Sequence, residues 1–234
     1  MRWLTALFSS RPALSPEQAA RLEAWRRLPP ESLQRDLADT RCVVLDVEST
    51  GLDLARDRLI AIGACAVAGG RVRLGDSFEV VLRQDRASAK DNILVHGIGG
   101  QRQRAGIEPV EALLRFLEYL GKSPLVAYHV AFDQTMIRRA MKDHLGHRFD
   151  HPWVDLAYVM PGLMPEYARK YRALDHWTRH FHIGNYARHS ALADALATAQ
   201  LLLVALPMAA RAGMGRYVQL QELEKAQRWI GNTA

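Results

Sequence analysis

Arg41-Cys42-Val43-Val44-Leu45-Asp46-Val47-Glu48-Ser49-Thr50-Gly51-Leu52 is the stretch on which the fold turns. Residues 42–48 form a short, apolar, β-branched run, the pattern of a strand buried on both faces. Leu59 to Val67 reads as a second strand, Gly69-Gly70 as a turn, and Asp76 to Leu82 as a third strand, giving an antiparallel meander. Downstream the pattern alternates. Pro109 to Leu120 reads as a helix, Pro124 to Tyr128 as a buried strand and Phe132 to Leu145 as a helix. A short strand near Trp153 follows, with helices from about Arg172 to His182 and from Ser190 to Leu206. Strands in a meander, followed by strands alternating with helices, imply an α/β fold built on a mixed sheet flanked by helices.

Upstream, Ser15-Pro16-Glu17-Gln18 carries a capping oxygen, a proline at the first helical position and a capping-box residue, so a helix is expected from there to about Arg27. Pro29-Pro30 ends it, and Glu31-Ser32-Leu33-Gln34 is expected to open a short second helix. The organisation read from these features is a helical extension over residues 1–40, a central domain over 41–206 and a helical tail over 207–234.

A chain of 234 residues, 49% hydrophobic and 24% charged, has the composition of a globular protein with a substantial core. The net charge of +6 favours anionic partners, nucleic acid foremost, although the basic residues are spread along the chain and a merely solvated arginine-rich surface reads the same way. Cys42 and Cys65 sit in apolar runs and read as buried thiols. No stretch reaches the roughly 18 uncharged apolar residues of a membrane span. The run Trp3 to Phe8 is short for a signal-peptide core, so no membrane association and a cytoplasmic location are expected.

The first strand ends with Asp46 and Glu48 at i and i+2, hence on one face. Two such carboxylates repel unless a cation lies between them; a strand end that has reached solvent is the ordinary alternative. The turn Ser49-Thr50-Gly51-Leu52 exposes backbone N–H groups beside them. A third carboxylate, Asp133, opens the helix after the fourth strand, where it could equally act as a cap. His189 opens the last long helix, and Asp194 follows within Ala-Leu-Ala-Asp-Ala-Leu-Ala, a setting otherwise built for burial.

Asp-x-Glu-x-Thr-Gly-Leu, then Phe132-Asp133 at a helix start, then His189-x4-Asp194 on a later helix resembles, in that order, the DEDDh 3′→5′ exonucleases of the ribonuclease H-like superfamily. That group includes the proofreading subunit of bacterial DNA polymerase III, oligoribonuclease and ribonuclease T. Val95-His96-Gly97-Ile98 and Trp153-Val154-Asp155-Leu156 resemble its intermediate landmarks, and the likeness spans roughly residues 41–205. Tyr128-His129 stands where the family often has His-Asn.

The resemblance implies a five-stranded mixed sheet. It implies two divalent cations, Mg²⁺ or Mn²⁺, held by Asp46, Glu48, Asp133 and Asp194, for which hard oxygen ligands are suited. It makes His189 the general base. Thr50, Gly51 and Leu52 would hold the terminal nucleotide, with His96 and Phe132 against its sugar or base. The implied substrate is the 3′ end of DNA, with nucleoside 5′-monophosphates as products. Removal of nucleotides from short RNA is the alternative, and a non-catalytic adaptor would have lost a ligand that is present here. Gln219-Leu220-Gln221-Glu222-Leu223 and the terminal helices are a possible docking element for a polymerase or sliding clamp, or simply one packed face of a final helix.

Overall fold

The computed structural model describes residues 13–185 and 187–233; the run Trp3–Phe8 lies outside them. Helix α1 (Pro16–Arg27) carries the capping box expected at Ser15 and Gln18. Then come β1 (Cys42–Ser49), β2 (Leu59–Ala68) and β3 (Arg71–Val81), followed by α2 (Lys90–His96), α3 (Gly100–Arg104) and α4 (Pro109–Leu120). The rest is β4 (Leu125–Ala127), α5 (Val130–Leu145), β5 (Trp153–Asp155), α6 (Leu156–Leu163), α7 (Leu174–His180), α8 (Ala191–Arg211) and α9 (Tyr217–Thr233).

The five strands form one mixed sheet in the order β3-β2-β1-β4-β5. β1 and β2 pair antiparallel, as do β2 and β3, whereas β4 runs parallel to β1 and β5 parallel to β4. Gly69 and Gly70 join β2 to β3 with φ of 60° and 66°, the backbone a tight hairpin turn requires and glycine tolerates.

Alternation along β1 divides the core into two layers. Val43, Leu45 and Val47 pack against α4 and α5, while Cys42 and Val44 face the layer built by α6, α8 and α9. Asp46 and Glu48 continue the second row, so the sheet's pleat aims both carboxylates towards α8. By length and composition α8 could cross a membrane. It instead lies across β1 and β2, with Ala195, Leu201, Leu202 and Ala205 in the core.

Helices α2, α3 and α6 have no counterpart among the expected elements, and among the other differences from expectation three have a clear physical cause. Residues 31–34 form no helix, 33 and 34 lying in a turn, because this stretch bonds to the start of α9 instead: Val218 N donates to Leu33 O at 3.1 Å, and, just beyond, Leu37 N to Gly215 O at 2.8 Å. β3 begins five residues early, at Arg71, since Arg71, Val72 and Arg73 pair with β2 and Val72 packs on the core layer beneath. α8 continues through Pro207 to Arg211, where burial of Ala209 holds the last turn in place.

Both flanking segments pack on the central unit. Trp25 Nε1 donates to Gly121 O at 2.7 Å, and Arg21 pairs with Glu111 and Glu118 of α4. On α9, Tyr217 is fully buried and donates to Leu125 O at 2.5 Å. Leu220 is buried and Leu223 packs beside it, so the leucines of residues 219–223 are taken up by contacts within the chain.

Candidate active site

The strand end, the turn after it and the start of α8 meet at one place. Carboxylate oxygens of Asp46, Glu48 and Asp194 lie within 4.8 Å of one another. Asp194 is buried and the other two are half-buried. Burial, together with the charges of Asp133, Asp194 and Glu48, pushes the Asp46 carboxyl well above the usual carboxylate range. Burial and the charge of Asp194 push Glu48 up to about 8. Such acids are short of positive charge. An all-carboxylate donor set fits a hard divalent cation such as Mg²⁺ or Mn²⁺, and a cation there would relieve the repulsion that raises these pKa values.

Asp133 stands just outside this group. It is buried three residues into α5, and its Oδ1 accepts from Val47 N at 3.1 Å, between the two acids of β1. Burial dominates its raised pKa, with Asp155 and Glu48 contributing. It does not cap α5. That task falls to Asp155, whose two oxygens accept from His129 N at 2.9 Å and Val130 N at 3.1 Å. Asp155 is held in turn by Arg228 of α9 at 2.8 Å, so the last helix of the chain fixes the start of the helix that carries Asp133.

At α8, Asp194 Oδ2 accepts from His189 N at 3.0 Å, and Oδ1 accepts from Asn185 and from Arg188 at 2.8 Å. Arg188 also pairs with Asp175 of α7 at 2.9 Å. His189 is exposed and adopts φ of 61°, so the chain turns sharply before it enters α8.

Gly63 explains how α8 comes so close. It pairs with Asp46 across the β1–β2 ladder, and a Cβ there would lie 2.1 Å from Leu192 N. A lone glycine inside a strand marks such an approach of backbones. Gly63→Ala is expected to push the start of α8 off the sheet, at about 1–3 kcal/mol for overpacking, and to weaken divalent-cation binding by separating Asp194 from Asp46. Urea unfolding and calorimetric Mn²⁺ titration would read both; wild-type values in the two would contradict this role.

The Thr50 hydroxyl donates to Asp57 Oδ1 at 2.7 Å and accepts from Arg58 N at 2.9 Å, closing the loop from 50 to 58. Gly51 gives Asp57 its room: a Cβ on Gly51 would sit 2.5 Å from Asp57 Oδ2. Leu52 is 86% exposed at the loop's tip, an apolar side chain with nothing to cover it among the described residues. Phe132 is half-buried and packs against the α4–α5 core layer.

His96, expected against the sugar or base of the terminal nucleotide, is drawn into the fold. It is buried, its Nδ1 accepts from Ile98 N at 2.9 Å, and its Nε2 lies 2.7 Å from Asn92 Oδ1. Both ring nitrogens are therefore engaged in shaping the Gly97–Ile98 turn. Tyr128 is buried and donates to Arg172 O at 3.1 Å, while His129 is exposed at the entrance of α5.

Sequence reasoning did not find the roles of Gly63, Asp155, Arg188 and Arg228. Gly63 carried a usable signal as a lone glycine in an apolar strand. The other three act through contacts distant in sequence or across a loop, which local patterns do not reveal.

The RNase_T exonuclease family model matches residues 43–202. Among curated proteins, a PolC-type DNA polymerase III from Thermotoga maritima is 31% identical over 196 residues, covering 84% of this chain and 14% of that protein. A DNA polymerase III subunit epsilon-like protein from Rhodobacter capsulatus is also 31% identical, over 70% of this chain and 23% of that protein. This chain thus spans under a quarter of these relatives' length. Among solved structures, E. coli exonuclease I in complex with a dT13 oligonucleotide superposes with a TM-score of 0.63 at 21% identity, covering 74% of this chain and 42% of that one. Cell-death related nuclease 4 gives 0.64 at 16% identity, covering 73% and 65%, and at these identities the likeness concerns the fold. With the matched span running from β1 into α8, the chain belongs to the RNase_T exonuclease family, among the DEDD 3′→5′ exonucleases of the ribonuclease H-like superfamily.

Proposed function

We propose that this chain removes nucleotides one at a time from the 3′ end of single-stranded DNA, releasing nucleoside 5′-monophosphates. The observation that carries this reading is the group of Asp46, Glu48 and Asp194 beside an exposed apolar turn. Relatives named as DNA polymerase III proteins support DNA over RNA as the substrate.

In this reading Asp46, Glu48 and Asp194, with Asp133 behind them, hold two divalent cations, Mg²⁺ or Mn²⁺. When bound, such a pair supplies positive charge to the attacking and leaving oxygens of an in-line displacement at phosphorus. The protein's own residues do the rest. Backbone groups of Thr50 and Gly51 and the side chain of Leu52 seat the terminal nucleotide, with Phe132 against its sugar or base. His189, exposed at the entrance of α8, takes the proton from the attacking water. The new P–O bond forms as the bond from phosphorus to the 3′ oxygen of the preceding nucleotide breaks. That oxygen leaves with a proton from solvent, ready to be the next terminus.

A 5′-labelled single strand incubated with Mg²⁺ or Mn²⁺ should shorten as a one-nucleotide ladder, and a blocked 3′ terminus should resist. RNA of the same sequence should be cut more slowly. Cleavage of circular single-stranded DNA would overturn the assignment of direction, and faster cleavage of RNA the assignment of substrate.

A further inference from the structure

The spread of arginines along the sequence conceals a local excess. Between Glu166 and Arg188 stand Arg169, Lys170, Arg172, Arg179 and Arg188 against two acids, Glu166 and Asp175, so this tenth of the chain holds a net +3 of the chain's +6. Arg188 already answers Asp175 and Asp194. The other four cations are exposed, and among the described residues none of their side chains forms a salt bridge.

This stretch is firmly built. Tyr167 and Tyr171 stack with ring centroids 4.9 Å apart, and Tyr171 meets the buried Trp177 edge-on at 5.1 Å. It is anchored to the rest of the chain at two points, the second of them in the candidate active site. Tyr128, just ahead of α5, donates to Arg172 O, and Arg188 joins Asp175 of α7 to Asp194 of α8. Cations held by the carboxylates would answer only the phosphate being cleaved, and in their absence the carboxylates repel the strand, so the phosphates upstream need positive charge outside the centre. Guanidinium groups without a salt bridge, on a rigid base that Asp175 and Arg188 link to Asp194, meet the need, since arginine binds phosphate through its planar fork.

Resting on the function proposed above, we infer that residues 169–179 form a track for the phosphates of the single-stranded DNA upstream of its 3′ end, with Arg169, Arg172 and Arg179 as the contacts. The test compares wild type with an Arg169→Gln/Arg172→Gln/Arg179→Gln variant. Exposed substitutions of this kind change stability by about 0.5 kcal/mol or less, and circular dichroism checks the fold. A second variant, Arg71→Gln/Arg73→Gln/Arg148→Gln, removes equal charge from exposed positions elsewhere.

Binding of a fluorescent single-stranded oligonucleotide in EDTA is measured across a salt series. Single strands lose affinity as salt rises, log Kd increasing with log salt by about 0.7 per phosphate contact. The track variant should therefore lose about 2 from the magnitude of the wild-type slope, and its KM for long strands should rise far more than its KM for a dinucleotide. The second variant should keep the wild-type slope. Equal slopes for wild type and the track variant, or an equal loss in both variants, would overturn the track. If wild type itself degrades no nucleic acid, the proposed function fails instead.

Discussion

Asp46→Asn and Glu48→Gln proteins are expected to lose exonuclease turnover by about three orders of magnitude or more, yet to melt at higher temperature than wild type in the absence of divalent cations. The loss follows from the several kcal/mol that cation stabilisation of charge contributes at such centres, each 1.4 kcal/mol being tenfold in rate. The gain follows from burial and repulsion, which raise both carboxyl pKa values. For Glu48 the window is defined. Its pKa stands at about 8 against an ordinary 4.5, so the folded state holds the proton more tightly than the unfolded chain. That contribution to stability is complete below the ordinary value and is lost as pH rises through 8. The Glu48→Gln variant has no such proton to lose, so its advantage in EDTA should widen across that range and shrink again when Mn²⁺ is added to wild type. Asp194→Asn should lose activity equally but gain less stability, because it gives up the ion pair with Arg188. Thermal melts from about pH 5 to about pH 9 decide the matter. If the Asp46→Asn and Glu48→Gln variants both melt well below wild type at every pH, these acids are structural and the cation site lies elsewhere.

The acids could be read from sequence because each broke a local pattern. Asp46 and Glu48 interrupt an apolar strand at the one spacing that puts both on the same face, and Asp194 interrupts an alanine-leucine helix. The same logic located β1, β2, α4 and α5, whose patterns follow from which faces are buried. It missed the first half of β3, a short edge segment with exposed arginines that backbone pairing with β2 and the packing of Val72 hold in place. It placed the end of α8 too early because proline usually stops a helix, whereas here tertiary burial carries the helix past Pro207. It gave no orientation for His96, because a histidine before a glycine at a helix end looks the same whether its ring turns inward or outward. Inward is what the Asn92 and Ile98 hydrogen bonds select. Asp133 offered two readings, cap and ligand, and only the capture of His129 N and Val130 N by Asp155 removes the first.

His189→Ala is expected to reduce kcat by about 10²–10⁴-fold, the usual contribution of a positioned general base, with divalent-cation affinity little changed. The two effects separate because of how the residue is attached. It is the backbone N–H of His189, not its ring, that holds Asp194 Oδ2 at 3.0 Å, and alanine keeps that N–H. The carboxylate group should therefore stay assembled while the imidazole is lost. One cost is local: φ of 61° at this position is a left-handed backbone that histidine accepts more readily than alanine. A His189→Asn variant controls for it, since asparagine tolerates that region and also lacks the base. Both variants should show the same fall in kcat and near-wild-type Mn²⁺ affinity by calorimetry. The rate–pH profile gives the second readout. Water held by a cation also titrates, so a limb in the wild-type profile alone does not identify its source. A limb present in wild type and missing from both variants assigns it to His189. Near-wild-type turnover with the same limb in both would make His189 only the residue that turns the chain into α8, and the base would have to be sought elsewhere around the carboxylates.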